Sequence, residues 1–234
     1  GGGDSSSTTA TPPPTPPPVA TNAGGFWYGD IHDQSPLLSI GIYAIFTETG
    51  EGRFYSDRGT QYIVSNVSGN DGNVTMNFTA MTQFGNVFLD GSTITTGMIH
   101  GTIVERVSFE GDFSTATGDS GTMSLEYDAR YERDSSLAKL EGMWDEDGDG
   151  ILTIKTDGSF FEQDRFGCVY DGQVSIIDPD YNVYALAMTI SLCGGSNGLY
   201  EGLGTLADGN VSDEAFILQM NSDTLAFTTW LLRL

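Results

Sequence analysis

Asp145-Glu-Asp-Gly-Asp-Gly-Ile151 puts aspartates at alternate positions, and Asp145, Asp147 and Asp149 followed by Gly150 match the first half of an EF-hand calcium loop. The second half departs from that pattern, because Thr156 stands at the twelfth position, where a bidentate glutamate is needed, and the flanks read as strands. Asp-Gly dipeptides also suit the turns that join twisted strands. The segment therefore reads first as an acidic hairpin turn and second as a cation site. Asp30-Ile-His32-Asp33 has the look of a metal site, yet His100 is the only other histidine, and zinc takes three or four protein ligands. Nucleophilic catalysis needs a base near the nucleophile, and no nucleophile-elbow pattern accompanies these two histidines. Paired carboxylates recur throughout so acidic a chain and single out no glycosidase site. The expectation is a non-enzyme with no cofactor.

Both cysteines lie in one segment, Gly167 to Cys193. Asp178-Pro-Asp-Tyr-Asn182 collects turn residues between the β-prone runs Val174–Ile177 and Val183–Ile190, which predicts a hairpin. A turn centred between Asp180 and Tyr181 places Cys168 directly opposite Cys193, close enough to bond. A Cys168–Cys193 disulfide is expected, and with it an oxidising compartment.

The elements that must position these groups are strands. Among 234 residues there are 31 glycines, many Thr, Ser, Val, Ile, Tyr and Phe, and few stretches with helical spacing of apolar residues, so the chain reads as all-β. Nine basic against 32 acidic residues give a net charge of −23, which disfavours nucleic acid and bare anionic membrane as partners. The charge divides evenly, 5 basic against 15 acidic residues in 24–135 and 4 against 16 in 136–234. No apolar run is long enough for a membrane-spanning helix. Residues 1–23 hold six of the eight prolines and little apolar bulk, and so predict a disordered, extended tether.

Two regions share an order of features. Gly25-Phe-Trp27, Leu38–Phe46, Gly52–Tyr62 and Val74–Thr82 correspond in turn to Gly142-Met-Trp144, Ile151–Ile154, Gly158–Tyr170 and Val183–Thr189. This predicts a tandem duplication, with a first unit at 24–135 and a second at 136–234. Thr60 then takes the place of Cys168, so only the second unit can be stapled. Leu137, Leu140 and Glu141 after Asp134-Ser-Ser predict one short helical turn at the boundary, started by a Ser cap. Each unit has room for eight or nine short strands, which close to hide their edges.

Gly-x-Trp on a first strand resembles the lipocalin pattern. The resemblance implies two small antiparallel up-and-down barrels of lipocalin or calycin type. It also implies an arginine from each last strand laid over the indole, Arg130 or Arg133 on Trp27 and Arg233 on Trp144. The tether and the Gly-Cys-x-Tyr and Cys-Gly elements resemble repeat domains of proteobacterial lipoproteins, whose acylated cysteine would precede residue 1. That implies a place outside the cytoplasm, at the outer membrane, in the periplasm or on the cell surface, with membrane contact only through the lipid. The functional expectation is a binding or structural module for a protein, glycan or small apolar ligand. The alternative is a carrier with its ligand inside one barrel. Tyr62, Tyr170, Tyr181, Tyr184 and Tyr200 are the candidates for an exposed aromatic strip.

Overall fold

A computed structural model describes residues 18–34, 37–83 and 85–234. The described residues form sixteen strands: β1 (Gly25–Gln34), β2 (Leu37–Phe46), β3 (Gly52–Ser56), β4 (Gln61–Ser68), β5 (Asn73–Met81), β6 (Ile94–Val104), β7 (Ser108–Thr115), β8 (Ser120–Asp128), β9 (Gly142–Asp145), β10 (Ile151–Ile154), β11 (Ser159–Gln163), β12 (Val169–Ile176), β13 (Tyr184–Ser191), β14 (Gly198–Ala207), β15 (Ala215–Asn221) and β16 (Ala226–Arg233). Period-two burial explains why they are strands: along β5, Val74, Met76, Phe78 and Ala80 are buried while Thr75, Asn77 and Thr79 face outward. Strands β1–β8 pair in sequence order and close into one antiparallel barrel, and β9–β16 close into a second. The first is filled around Trp27, Phe46, Phe54, Met76 and Phe109, the second around Trp144, Tyr184, Leu186, Phe216 and Met220.

The duplication holds at the level of the strand. Each pair of look-alike segments occupies the same place in its barrel, Val74 opening the run on β5 and Val183 standing just before β13. The two indoles also make the same bond, Trp27 Nε1–H to the Ala23 carbonyl at 3.0 Å and Trp144 Nε1–H to the Leu140 carbonyl at 2.8 Å. The seams differ. β1 and β8 pair from Phe26↔Asp128 to Asp33↔Gly121, whereas β9 and β16 pair only at Asp145↔Leu232 and Trp144↔Arg233. β9 is four residues long against ten for β1, so the second barrel is joined at one end of its seam only.

The cysteines are bonded, as their shared hairpin predicts, but not through the expected register. Partners on β12 and β13 run Val169↔Ser191 and Tyr170↔Ile190, one residue off the pairing that would oppose the cysteines. The bridge forms because Leu192 adopts a left-handed conformation, φ 57°, and turns Cys193 back toward Cys168 until their Cα atoms are 4.6 Å apart. Replacing both cysteines by serine is expected to destabilise the protein by about 2 kcal/mol in urea unfolding. That is the low end for a native bridge, since the turn at Asp178–Asn182 already favours the hairpin before folding. A change below about 0.5 kcal/mol would show the staple to be idle.

The tether prediction is corrected at its end. Residues 1–17 lie outside the described residues, but Ala20 bridges Asn70, and Val19 N–H donates to Asp71 Oδ1 at 3.1 Å. Ala23 is buried in the first core, so residues 18–23 belong with the first barrel.

Between the barrels run a 3₁₀ turn, Ala129–Glu132, and a short helix, α1 (Leu137–Leu140), with Ser136 Oγ accepting from Lys139 N–H at 3.3 Å as its cap. The β12–β13 loop clasps this connection. Ser135 N–H donates to Pro179 O at 2.9 Å and Asn182 N–H to Tyr131 O at 2.9 Å, while the Asn182 amide donates to Leu206 O and accepts from Leu206 N–H. Phe26 and Ile45 on the outer wall of the first barrel, Tyr131 of the connection, and Val183 and Leu203 of the second barrel form a third core between the two.

Candidate functional site

The barrel ends carry the Trp–Arg constellation in one copy only. Arg233 lies over the Trp144 ring with its guanidinium carbon 4.2 Å from the centroid, and its Nη atoms donate to the Glu141 and Lys139 carbonyls. In the first barrel the residue paired with Trp27 on the closing strand is Tyr127, whose ring meets the indole edge-on at 5.4 Å. Arg130 instead pairs with Asp128, and Arg133 with Asp208 and Asp213. Both follow β8 in sequence and leave the barrel with the connection, which is why neither reaches the indole. A different arginine stands behind Tyr127: Arg106, in the β6–β7 turn, donates to Tyr127 OH at 2.7 Å and lies 5.4 Å from the Tyr181 centroid. With Glu48 at 3.4 Å and Tyr131 stacked on Tyr181 at 4.7 Å, it ties the two barrels at this end.

The predicted tyrosine strip does not exist as a surface. Tyr184 and Tyr200 are buried in the second core, Tyr62 and Tyr170 are packed against the barrel interiors, and Tyr181 stacks in the joint. Different aromatic residues line a cleft of about 370 Å³ between the outer walls of the barrels. Tyr28 and Tyr43 face each other across β1 and β2, and Trp230 projects from β16; they remain 41%, 45% and 50% exposed. The polar groups of the cleft include Gln219, Thr228 and the Asp128–Arg130 pair. Gln219 is buried, and among the described residues its Oε1 has no hydrogen-bond partner. The walls are held together by Gln61 Nε2 donating to Thr228 Oγ1 at 2.9 Å and by Arg53 bonded to Asn221 Oδ1.

Among the described residues, the cavity between Phe54, Tyr62, Phe78 and Phe113 inside the first barrel is about 10 Å³. The second barrel has a chamber of about 180 Å³ at its mouth, where the β9–β16 seam lapses. Glu162 points in from β11, next in the inward series after Phe160, and Glu146 enters from the β9–β10 turn to bond Thr229 Oγ1. Burial, reinforced by Glu146, Asp164, Asp145 and Asp149, pushes the Glu162 carboxyl up to about 7. Burial likewise raises Glu146. Two wider depressions, about 810 Å³ at the mouth of the first barrel and about 880 Å³ over β12–β14, are open and more polar.

The three candidate calcium aspartates serve the turn instead. Asp145 Oδ1 accepts from Gly148 N–H at 3.0 Å, Asp147 holds a left-handed turn position at φ 52°, and Asp149 pairs with Arg165 at 2.7 Å. Among the described residues no three His, Cys, Asp or Glu side chains converge as a metal set would. His32 and His100 stand on the outer wall of the first barrel, His100 Nδ1 beside Thr75 Oγ1 at 3.1 Å.

Period-two reading could have found the missed residues. Tyr28 and Tyr43 sit at solvent parity beside inward Trp27 and Ala44, and Glu162 is a charge at core parity.

No family model matches the chain, and no curated protein matches it. A crystal structure of a "putative outer membrane protein" from Bacteroides fragilis aligns over 89% of this chain and 95% of its own, with 10% identity and a TM-score of 0.33. So loose a likeness carries no weight for fold or role, and the two closed barrels stand on the chain's own strand pairing.

Proposed function

We propose that the chain is a non-catalytic binding module of the cell envelope whose ligand is a glycan held in the inter-barrel cleft. The observation that carries this reading is the cleft itself: half-exposed Tyr28, Tyr43 and Trp230 beside a buried Gln219 Oε1 that lacks a donor among the described residues. Sugar rings offer apolar C–H faces to aromatic planes and hydroxyl donors to an unpaired amide oxygen. An apolar ligand would leave Gln219 unsatisfied. A carrier role for the first barrel has little support, because the cavity among Phe54, Tyr62, Phe78 and Phe113 is only about 10 Å³. The disulfide favours an oxidising compartment, and a lipid anchor ahead of the proline-rich segment would tether the module there.

The test is binding to an immobilised panel of maltohexaose, cellohexaose and chitohexaose. At least one should be retained by the protein, and Trp230→Ala and Tyr43→Ala should each weaken it about tenfold. Both rings are half-exposed, so melting temperatures should move little. Retention of none of the three, or equal retention by the variants, would refute the glycan reading.

A further inference from the structure

The second barrel holds a site that is independent of the cleft. Glu162 is 4% exposed, and among the described residues its Oε1 has no hydrogen-bond partner. A buried carboxylate left that way is costly, so the group either keeps its proton or is completed by a cation. Its position is built in. Phe160 and Glu162 project inward from β11, and the carboxylate lies so close over Gly150 that a β-carbon there would fall 2.0 Å from Oε1. Glu146 reaches the same chamber from the neighbouring turn. The remaining wall is mostly apolar, with Leu152, Phe160, Phe227 and Leu231 outweighing the polar Tyr170, Ser196 and Thr229.

Size and chemistry narrow the occupant. A dry cavity of about 150 Å³ is enough for a benzene ring, and this chamber is about 180 Å³. Calcium requires six to eight oxygen ligands, and the turn aspartates that could add to the two glutamates are committed to Gly148 and Arg165. An ammonium group on a compact apolar body satisfies both halves of the lining, and the chain's net charge of −23 attracts cations to it. We infer that the mouth of the second barrel binds a small organic ammonium ion, with its nitrogen between Glu162 and Glu146 and its apolar body against Phe160, Phe227 and Leu231. The gap beyond Asp145 and Leu232, where β9 and β16 cease to pair, is the entry.

Benzylamine is a suitable probe, titrated calorimetrically at pH 7 against benzyl alcohol, which has the same body without the charge. Benzylamine should bind at least about tenfold more tightly, the margin of a charge-assisted over a neutral hydrogen bond. Glu162→Gln should abolish that margin while leaving benzyl alcohol unchanged. Groups facing Glu162 are Asp145 at the end of β9, Glu146 and Asp149 of the β9–β10 turn, Asp164 of the β11–β12 turn and Tyr170 of β12. A bound cation should ionise Glu162 among them, so binding heats should differ between buffers of different ionisation enthalpy, reporting proton release. Trp230→Ala, in the cleft, should leave all of this intact. Equal affinity for amine and alcohol would overturn the proposal. So would a preference that survives Glu162→Gln, or displacement of benzylamine by equimolar calcium chloride or ammonium chloride.

Discussion

Replacing Trp144 by alanine is expected to destabilise the protein by about 3–5 kcal/mol, the range for deleting a fully buried large aromatic side chain. Trp144 is wholly buried, packs on Phe216 at 5.7 Å, donates to Leu140 O and carries Arg233 on its face. It also stands in one of the two residue pairs that close the second barrel, so its loss opens core and seam together. Arg233→Ala should cost less, about 1–2 kcal/mol, because it removes the cation–π contact and the two carbonyl bonds but leaves the indole in place. Urea unfolding followed by circular dichroism measures both. The arginine's role as a lid on the barrel end predicts non-additivity, with the double variant close to Trp144→Ala alone. A Trp144→Ala loss under about 1 kcal/mol would mean that the indole is not what holds this barrel shut.

The second large effect is one of pH. The Glu162 carboxyl is held near 7 in the folded protein, against 4.5 for a free glutamate. The unfolded chain thus gives up this proton at lower pH than the folded chain does. Stability associated with the group is complete below about pH 4.5 and is lost as pH rises through 7, by up to about 3 kcal/mol. Glu162→Gln, which has no charge to bury, should lack this decline and be more stable than the parent at pH 8 while matching it near pH 4. Unfolding midpoints across pH 4–8 give the comparison. Parallel profiles for parent and variant would show that Glu162 ionises freely, and the buried acid would then have no standing.

Much of this architecture could be read from the chain before any coordinates. The recurring Gly-x-Trp and the matched runs after it report a duplicated barrel because a strand's burial pattern is written locally, two residues at a time. Leu192 is a different case: its left-handed backbone rescues a bridge that the observed register of β12 and β13 would have missed, and nothing in a leucine announces it. The Trp27 partner failed for a related reason. A cation could be assigned to the end of the first barrel only by knowing how the turn at Arg106 folds back, a contact between residues 21 positions apart. The cleft was illegible because Tyr28, Tyr43 and Trp230 become a common surface only when two barrels dock, and docking depends on Asn182, Gln61 and Arg53, polar residues that read as ordinary surface.

The clasp around Asn182 has a bearing on self-association. Tandem copies of one fold invite exchange, the first barrel of one molecule seating on the second barrel of another. Here the connecting segment is gripped by a loop of the very barrel it leads into, with Asn182 bonded both to Tyr131 before α1 and to Leu206 on β14. A crossed-over pair would have to stretch that segment out of its grip and strand a buried amide, so the clasp disfavours exchange of barrels between molecules.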